Sequence, residues 1–169
     1  MNEACETGDV GVIHVTRFLK SIPHTIDILN VENDQSYQKK DIDLIWTFSN
    51  NKMSIQKSVE IKSDNYFSTG NYFFETISNK SKNTPGCFMY SEADLLFYYF
   101  LGYELHIMNL PKVREWFIKN RGQFKVRTTS TSVNGSRYYT EGSLVKRQRL
   151  VDENLVRIVP YTTIQKGLI

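Results

Sequence analysis

The sequence predicts a mixed α/β domain, with a central mixed β-sheet flanked by helices. Three observations carry that expectation. Residues 41–63 contain two alternating apolar/polar runs separated by a short polar turn, the pattern of a β-hairpin. Residues 9–21 space apolar side chains at helical intervals. Residues 91–120 read as helix, strand and helix, punctuated by Gly102 and Pro111. Helices and strands are interleaved rather than segregated, which is the mark of α/β organisation. The chain has 169 residues, no internal repeat and no Pro/Gly-rich linker, so it is read as one domain over 1–169.

Taken in order, DVGVIHVTRFLKS (9–21) is a helix that Pro23 ends. TIDILNV (25–31) favours a strand, and ENDQSYQKK a polar loop. DIDLIWTF (41–48), the turn SNNK and SIQKSVEIKS (54–63) form the hairpin. Asn71 to Ser78 is expected as a short helix and 86–90 as a short strand. Ser91 reads as an N-cap, with Asp94 at the third position, for a helix over ADLLFYYFL that Gly102 stops. YELHIMNL is a buried strand, PKVREWFIKN a helix, and FKVRT (124–128) a strand. The Thr/Ser/Gly-rich stretch 129–143 is expected as a loop, and LVRIVPY as a last strand.

Composition narrows the function classes. The two cysteines, Cys5 and Cys87, form no CxxC pair, and His14, His24 and His106 lack zinc-site spacing. No apolar run of membrane length, secretory-type start or phosphate-cradling GxxxxGK[ST] occurs. The expectation is a cytoplasmic protein with reduced thiols, no membrane partner and no ATP dependence. Net charge is only +3, but it is unevenly spread. Between Lys112 and Arg157 there are eleven Lys and Arg against four Asp and Glu, and the rest of the chain is net negative. An acidic cation-binding half and a basic half facing a polyanion would give this asymmetry, as would an ordinary solvated basic surface.

The chemistry centres on the hairpin. Side chains alternate across a strand, so Glu60 and Lys62 project together while Val59 and Ile61 point into the core. Asp43 lies on the facing strand, opposite to Ile42 and Leu44. Two carboxylates plus a backbone carbonyl suit a hard divalent cation, which polarises a phosphoryl oxygen and acidifies a bound water. A neighbouring lysine orients that water or stabilises transition-state charge. The competing reading is a solvated hairpin face with a surface salt bridge.

The wider text, QKKDIDLIW, then VEIKSDNYFSTGNYFFE, then SEAD, resembles the PD-(D/E)XK nuclease superfamily, which has the restriction-endonuclease-like fold. The residues that carry the resemblance are Glu60, Lys62, Asp64, Thr69-Gly70-Asn71, Glu75, Ser91, Ala93 and Asp94, across roughly 35–110. Ile42 stands where the superfamily often has Pro. The resemblance implies Asp43 and Glu60 as the metal pair, the Ile61 carbonyl as third ligand, and Lys62 as the catalytic lysine. Asp41 competes with Asp43 for the metal role.

Gln38 and Glu75 are outer-shell candidates, each with a plain alternative as a loop or helix surface residue. Asp94 reads more simply as a cap, and Glu3, Glu6 and Asp9 offer no way to choose among them. Lys125, Arg127, Arg137, Lys146, Arg147 and Arg149 are the expected phosphate contacts, which position a duplex without reading its sequence. The expected function is Mg²⁺-dependent hydrolysis of DNA, with Mn²⁺ as a substitute metal and RNA left open as substrate. Duplex cleavage would need two sites, which a homodimer supplies. The alternatives are a junction-resolving endonuclease and a non-catalytic nucleic-acid-binding module of the same fold.

Overall fold

A computed structural model describes the backbone of residues 3–50, 53–133 and 136–166, and the side chains of those residues outside 3–7 and 131–136. Asn51 and Lys52 of the expected hairpin turn, and the side chains of Glu3, Cys5 and Glu6, lie outside the described set. The elements run α1 (Glu3–Ser21), β1 (Thr25–Asn30), α2 (Gln35–Gln38), β2 (Leu44–Ser49), β3 (Ser54–Asp64), β4 (Asn71–Asn79) and β5 (Thr84–Pro85). They continue with α3 (Cys87–Tyr90), β6 (Leu95–Phe100), β7 (Glu104–Asn109), α4 (Leu110–Asn120) and β8 (Lys125–Val133). The last four are β9 (Ser136–Lys146), α5 (Arg147–Asp152), β10 (Val156–Pro160) and α6 (Tyr161–Lys166).

The first sheet has the order β1-β2-β3-β6-β7-β10 and the second β5-β4-β9-β8. Only β3 and β6 run parallel in the first sheet, so it is mixed, as expected. Two apolar cores flank it. Val15, Leu19, Val59, Ile61 and Phe97 pack on the α1 side, and Ile45, Tyr72, Phe74, Tyr98 and Phe117 fill the space toward the second sheet and α4. Strand β3 is therefore covered on both faces. Helix α1 crosses it so closely that a Cβ on Gly11 would lie 1.9 Å from Ser63 Oγ.

Four sequence expectations are corrected. Residues 71–78 are strand, not helix: Tyr72, Phe74 and Thr76 are buried and alternate with less buried neighbours, a period of two. Residues 87–90 form a single helical turn, not a strand. Gly86 lies against β4, where a Cβ would meet Glu75 O at 2.5 Å, and the chain then turns back toward β6. LLFYYF is strand β6, not a helix, so Ser91 and Asp94 cap no helix there; Ser91 instead closes α3. A strand between two others and covered on both faces loses alternation and reads as one apolar run. Gly102, at φ +77, turns β6 into β7. Residues 129–143 are mostly the strands β8 and β9, a long antiparallel ladder rather than a loop. Helices α2, α5 and α6 are short elements that the sequence patterns did not reveal.

Candidate functional site

Strand β3 pairs with β2 through Leu44↔Val59, and one step further Asp43 N–H donates to Val59 O at 2.9 Å. Asp43 and Glu60 are thus opposed on the face toward the second sheet. The side chain of Asp43 also takes the place of a strand partner, accepting the Ile61 amide on Oδ2 at 2.7 Å. A strand residue's N–H and C=O point to the same edge, so the Ile61 carbonyl lies on the Asp43 side. Glu60 is 8% exposed, which removes the reading of a solvated hairpin face.

Asp41 precedes β2 at φ +55, off the strand, in a backbone region that few side chains adopt. It is held there by the segment before β6. Ser91 Oγ donates to Asp41 O at 2.9 Å, Tyr90 Oη donates to Asp41 Oδ1 at 3.2 Å, and Glu92 N–H donates to Lys40 O at 2.8 Å. Arg114 of α4 anchors that segment in turn, donating to Phe88 O at 2.8 Å and Ser91 O at 2.6 Å. Asp41 Oδ2 and Glu60 Oε2 are buried with no hydrogen-bond partner among the described residues.

Electrostatics follow from that crowding. Burial, with Glu32 and Asp41 nearby and despite the Ile61 amide, pushes Asp43 up to about 6. Burial and the Asp43 and Asp41 carboxyls raise Glu60 well above the ordinary carboxylate range. Asp41 is raised by burial as well, against the pull of Tyr90 and Lys62. Burial alone would lower Lys62, but Cys87, Glu75, Glu60 and Asp64 around it hold its ammonium above the usual lysine value. No Lys62 ion pair closer than 4.0 Å occurs among the described residues. Its charge sits in a crevice lined by Glu60, Phe73, Glu75, Cys87, Ser91 and Tyr98, with room of about 10 Å³, enough for one water or ion.

The remaining candidates are spread out. Glu75 lies on β4 in the Lys62 crevice, its carboxyl raised by burial. Gln38 is exposed at the end of α2 and donates to Glu32 O at 2.6 Å. Asp94 ties β6 to β3, accepting Ser58 N–H at 3.0 Å and pairing with Lys57 at 3.1 Å. Asp64 receives the hydroxyl of Tyr98 and the Tyr66 amide. Asp9 is exposed on α1.

The basic set divides. Lys125 and Arg127 lie on the exposed edge strand β8, opposite Leu144 and Gly142, and Gly142 is in turn opposite Glu75. Arg127 and Glu75 therefore share one face and one row of the second sheet. Gly142 between them has no side chain of its own, and the Phe73 ring lies over it, where a Cβ would meet Phe73 Cζ at 2.5 Å. Alternation puts exposed Lys146 on that face and Arg137 on the other. Arg137, expected in a flexible loop, is part of β9. Arg147 is committed elsewhere: it lies 4.0 Å over the Phe67 ring, donates to Phe67 O at 2.9 Å and sits 3.7 Å from Glu104. Arg149 donates to Gln123 Oε1 at 3.1 Å.

Glu32, Tyr90, Arg114 and Cys87 stand at or around the carboxylates without having been singled out from the sequence. Arg114 and Tyr90 carry no local signal, and Cys87 invites only a disulfide or zinc-spacing test, which it fails. No helix among the described residues is long and apolar enough to cross a membrane. No protein-family model, no curated protein and no solved structure matches the chain.

Proposed function

We propose that this protein is a metal-dependent nuclease that hydrolyses phosphodiester bonds of DNA, with Asp43, Glu60 and Lys62 as its catalytic set. The observation that carries this reading is the buried Glu60 carboxyl between half-buried Asp41 and Asp43, with one oxygen each of Asp41 and Glu60 unpartnered among the described residues, beside Lys62. Like-charged buried carboxyls oppose one another unless protons or a cation intervene. The donor set therefore fits a hard divalent cation such as Mg²⁺, held by Asp43, Glu60 and the Ile61 carbonyl. When bound, such an ion supplies a polarised phosphoryl oxygen and a more acidic water.

The protein's own groups do the rest. Lys62 stays protonated, so it serves as a charge and hydrogen-bond donor to the attacking water or the phosphoryl oxygens and not as a base. The Ile61 amide fixes the Asp43 carboxyl toward β3. Glu75 balances Lys62 from the opposite wall. Lys125, Arg127 and Lys146, on the face of the second sheet that also carries Glu75, would receive backbone phosphates and lead the strand toward the carboxylates.

The test is to incubate the purified protein with supercoiled, linear, single-stranded and branched DNA, and with RNA, in Mg²⁺ or Mn²⁺. Asp43→Asn and Lys62→Ala run alongside. Cutting of DNA that needs metal and is lost in both variants is expected. Metal-dependent cutting that survives in both removes this assignment, and tight, salt-dependent binding without any cutting points to a binding module.

A further inference from the structure

Cys87 opens α3, and its thiol points into the acidic cluster instead of the apolar core. One oxygen of Asp41, one of Glu60 and Cys87 Sγ all lie within 4.8 Å of one another. Cys87 is a free cysteine. Each of the two carboxyls carries an oxygen without a hydrogen-bond partner among the described residues: Glu60 Oε2, on a side chain more than nine-tenths buried, and Asp41 Oδ2. A thiol is too weak a donor to satisfy two carboxylates. Three anionic-capable donors this close together, two of which, Glu60 and Cys87, also line the crevice of ion size, are instead a ligand set.

We propose that Cys87, Asp41 and Glu60 form a metal subsite that takes a thiophilic divalent ion of the zinc or cobalt(II) class. The proposal rests on the carboxylate-cluster reading through the shared Glu60, but it turns on Cys87 where the Mg²⁺ reading turns on Asp43. Mg²⁺ takes oxygen ligands, whereas a thiolate beside carboxylates selects softer first-row ions. Three protein ligands leave a fourth position open, as in zinc sites that bind water.

The surrounding structure holds the sulfur in place. Gly86 permits α3 to press on β4, with a Cβ there only 2.5 Å from Glu75 O, and Arg114 ties Phe88 O and Ser91 O on the far side of the turn. On binding, the Cys87 S–H bond breaks, its electron pair forms the sulfur–metal bond, and the proton leaves to solvent. The oxidation state of neither partner changes. Lys62, in the same crevice, faces the thiolate that results.

The experiment adds Co²⁺ alone to the full chain and records its absorption spectrum. A sulfur-to-cobalt charge-transfer band in the near ultraviolet is expected in the wild type, in Cys5→Ser and in Asp43→Asn, and its absence is expected in Cys87→Ser. Cobalt affinity of Cys87→Ser should fall by at least about 10–100-fold, the loss that even an outer-shell partner produces. Zinc-edge X-ray absorption on the wild type, which needs no variant to fold, should find sulfur in the first coordination shell. Cobalt binding without the band, a band that persists in Cys87→Ser, or a first shell of oxygen and nitrogen alone overturns the proposal. A band lost in Cys87→Ser together with no Mg²⁺-dependent cutting keeps this subsite and removes the nuclease reading. Cutting without the band does the reverse, and binding of no divalent ion removes both.

Discussion

Two polar clusters are buried against the first sheet, and they are built in opposite ways. Around β7, Tyr72 Oη meets His106 Nδ1 at 2.6 Å, and His106 Nε2 meets Glu104 Oε2 at 2.8 Å. Burial keeps His106 below its ordinary value, although Glu104 pulls the other way, so the neutral ring accepts from tyrosine and donates to glutamate. Arg147 completes the group beside Glu104. Around β3, the Glu60 carboxyl lies beside those of Asp41 and Asp43, and among the described residues one oxygen each of Glu60 and Asp41 has no partner and no arginine is ion-paired to them. The first arrangement satisfies every group and stabilises the fold. The second costs stability in the free protein, and that cost is what the proposed metal site would offset.

The largest expected difference between the clusters is in catalysis. Lys62→Ala should lower turnover on DNA by about 10²–10³-fold, the usual cost of losing a positioned transition-state donor. Glu60→Gln should abolish cutting without lowering the melting temperature appreciably, because it removes a carboxyl from a crowded acidic site. Single-turnover cleavage and thermal denaturation of the same preparations check both halves. A large loss of stability in Glu60→Gln would mean that this cluster, too, is structural.

Stability against pH separates them next. The folded-state value of Asp43, about 6, exceeds its ordinary 3.8. A carboxyl raised in this way contributes stability that is full below its unfolded value and is lost as pH rises through the folded one. In chelator, unfolding free energy should therefore fall between about pH 4 and pH 7 by roughly 3 kcal/mol, each pH unit of the difference being worth about 1.36 kcal/mol. Asp43→Asn should flatten that slope and exceed the wild type in stability at neutral pH, since Asn Oδ1 still accepts the Ile61 amide. Added divalent cation should restore the wild type. Urea denaturation across this range, with and without cation, reads all three.

The satisfied cluster should respond in the opposite sense. Tyr72→Phe leaves His106 Nδ1 buried without its partner, which should cost about 1–3 kcal/mol in stability. Cutting per folded molecule should not change. Denaturant midpoints and active-fraction titration test this pair of outcomes.

How far the sequence foretold these regions depends on which physical signal each one leaves. The β2–β3 hairpin and the shared face of Asp43 and Glu60 were legible because a strand with one polar and one apolar side alternates. Strand β6 was not, because central burial on both faces erases the alternation, although its aromatic content favoured a strand. The β8–β9 ladder hid behind a Thr/Ser-rich composition that usually marks loops, yet Asn134-Gly135 between its halves is a strong hairpin signal in the sequence. Asp41 depends on a left-handed backbone set by contacts with Tyr90 and Ser91, and Cys87 arrives through a turn forty-six positions downstream. Tertiary placement of that kind leaves no local pattern to read.

The smallest expected effect concerns the route between the acidic cluster and the basic edge. Lys125 and Arg127 lie on the face that carries Glu75, whereas Arg147 is stacked on Phe67 and bonded to its carbonyl. If phosphates are received along β8, Lys125→Ala and Arg127→Ala should each reduce the slope of log affinity against log salt by about 0.9, the share of one phosphate contact on duplex DNA. Arg147→Ala should leave that slope unchanged and lower stability instead, because its guanidinium is already used within the fold. Arg137, on the opposite face, should behave as a bystander to both measurements. A slope lost in Arg137→Ala but kept in Arg127→Ala would place the nucleic acid on the other side of the second sheet, away from Glu75. The carboxylates would then need a different path to their substrate.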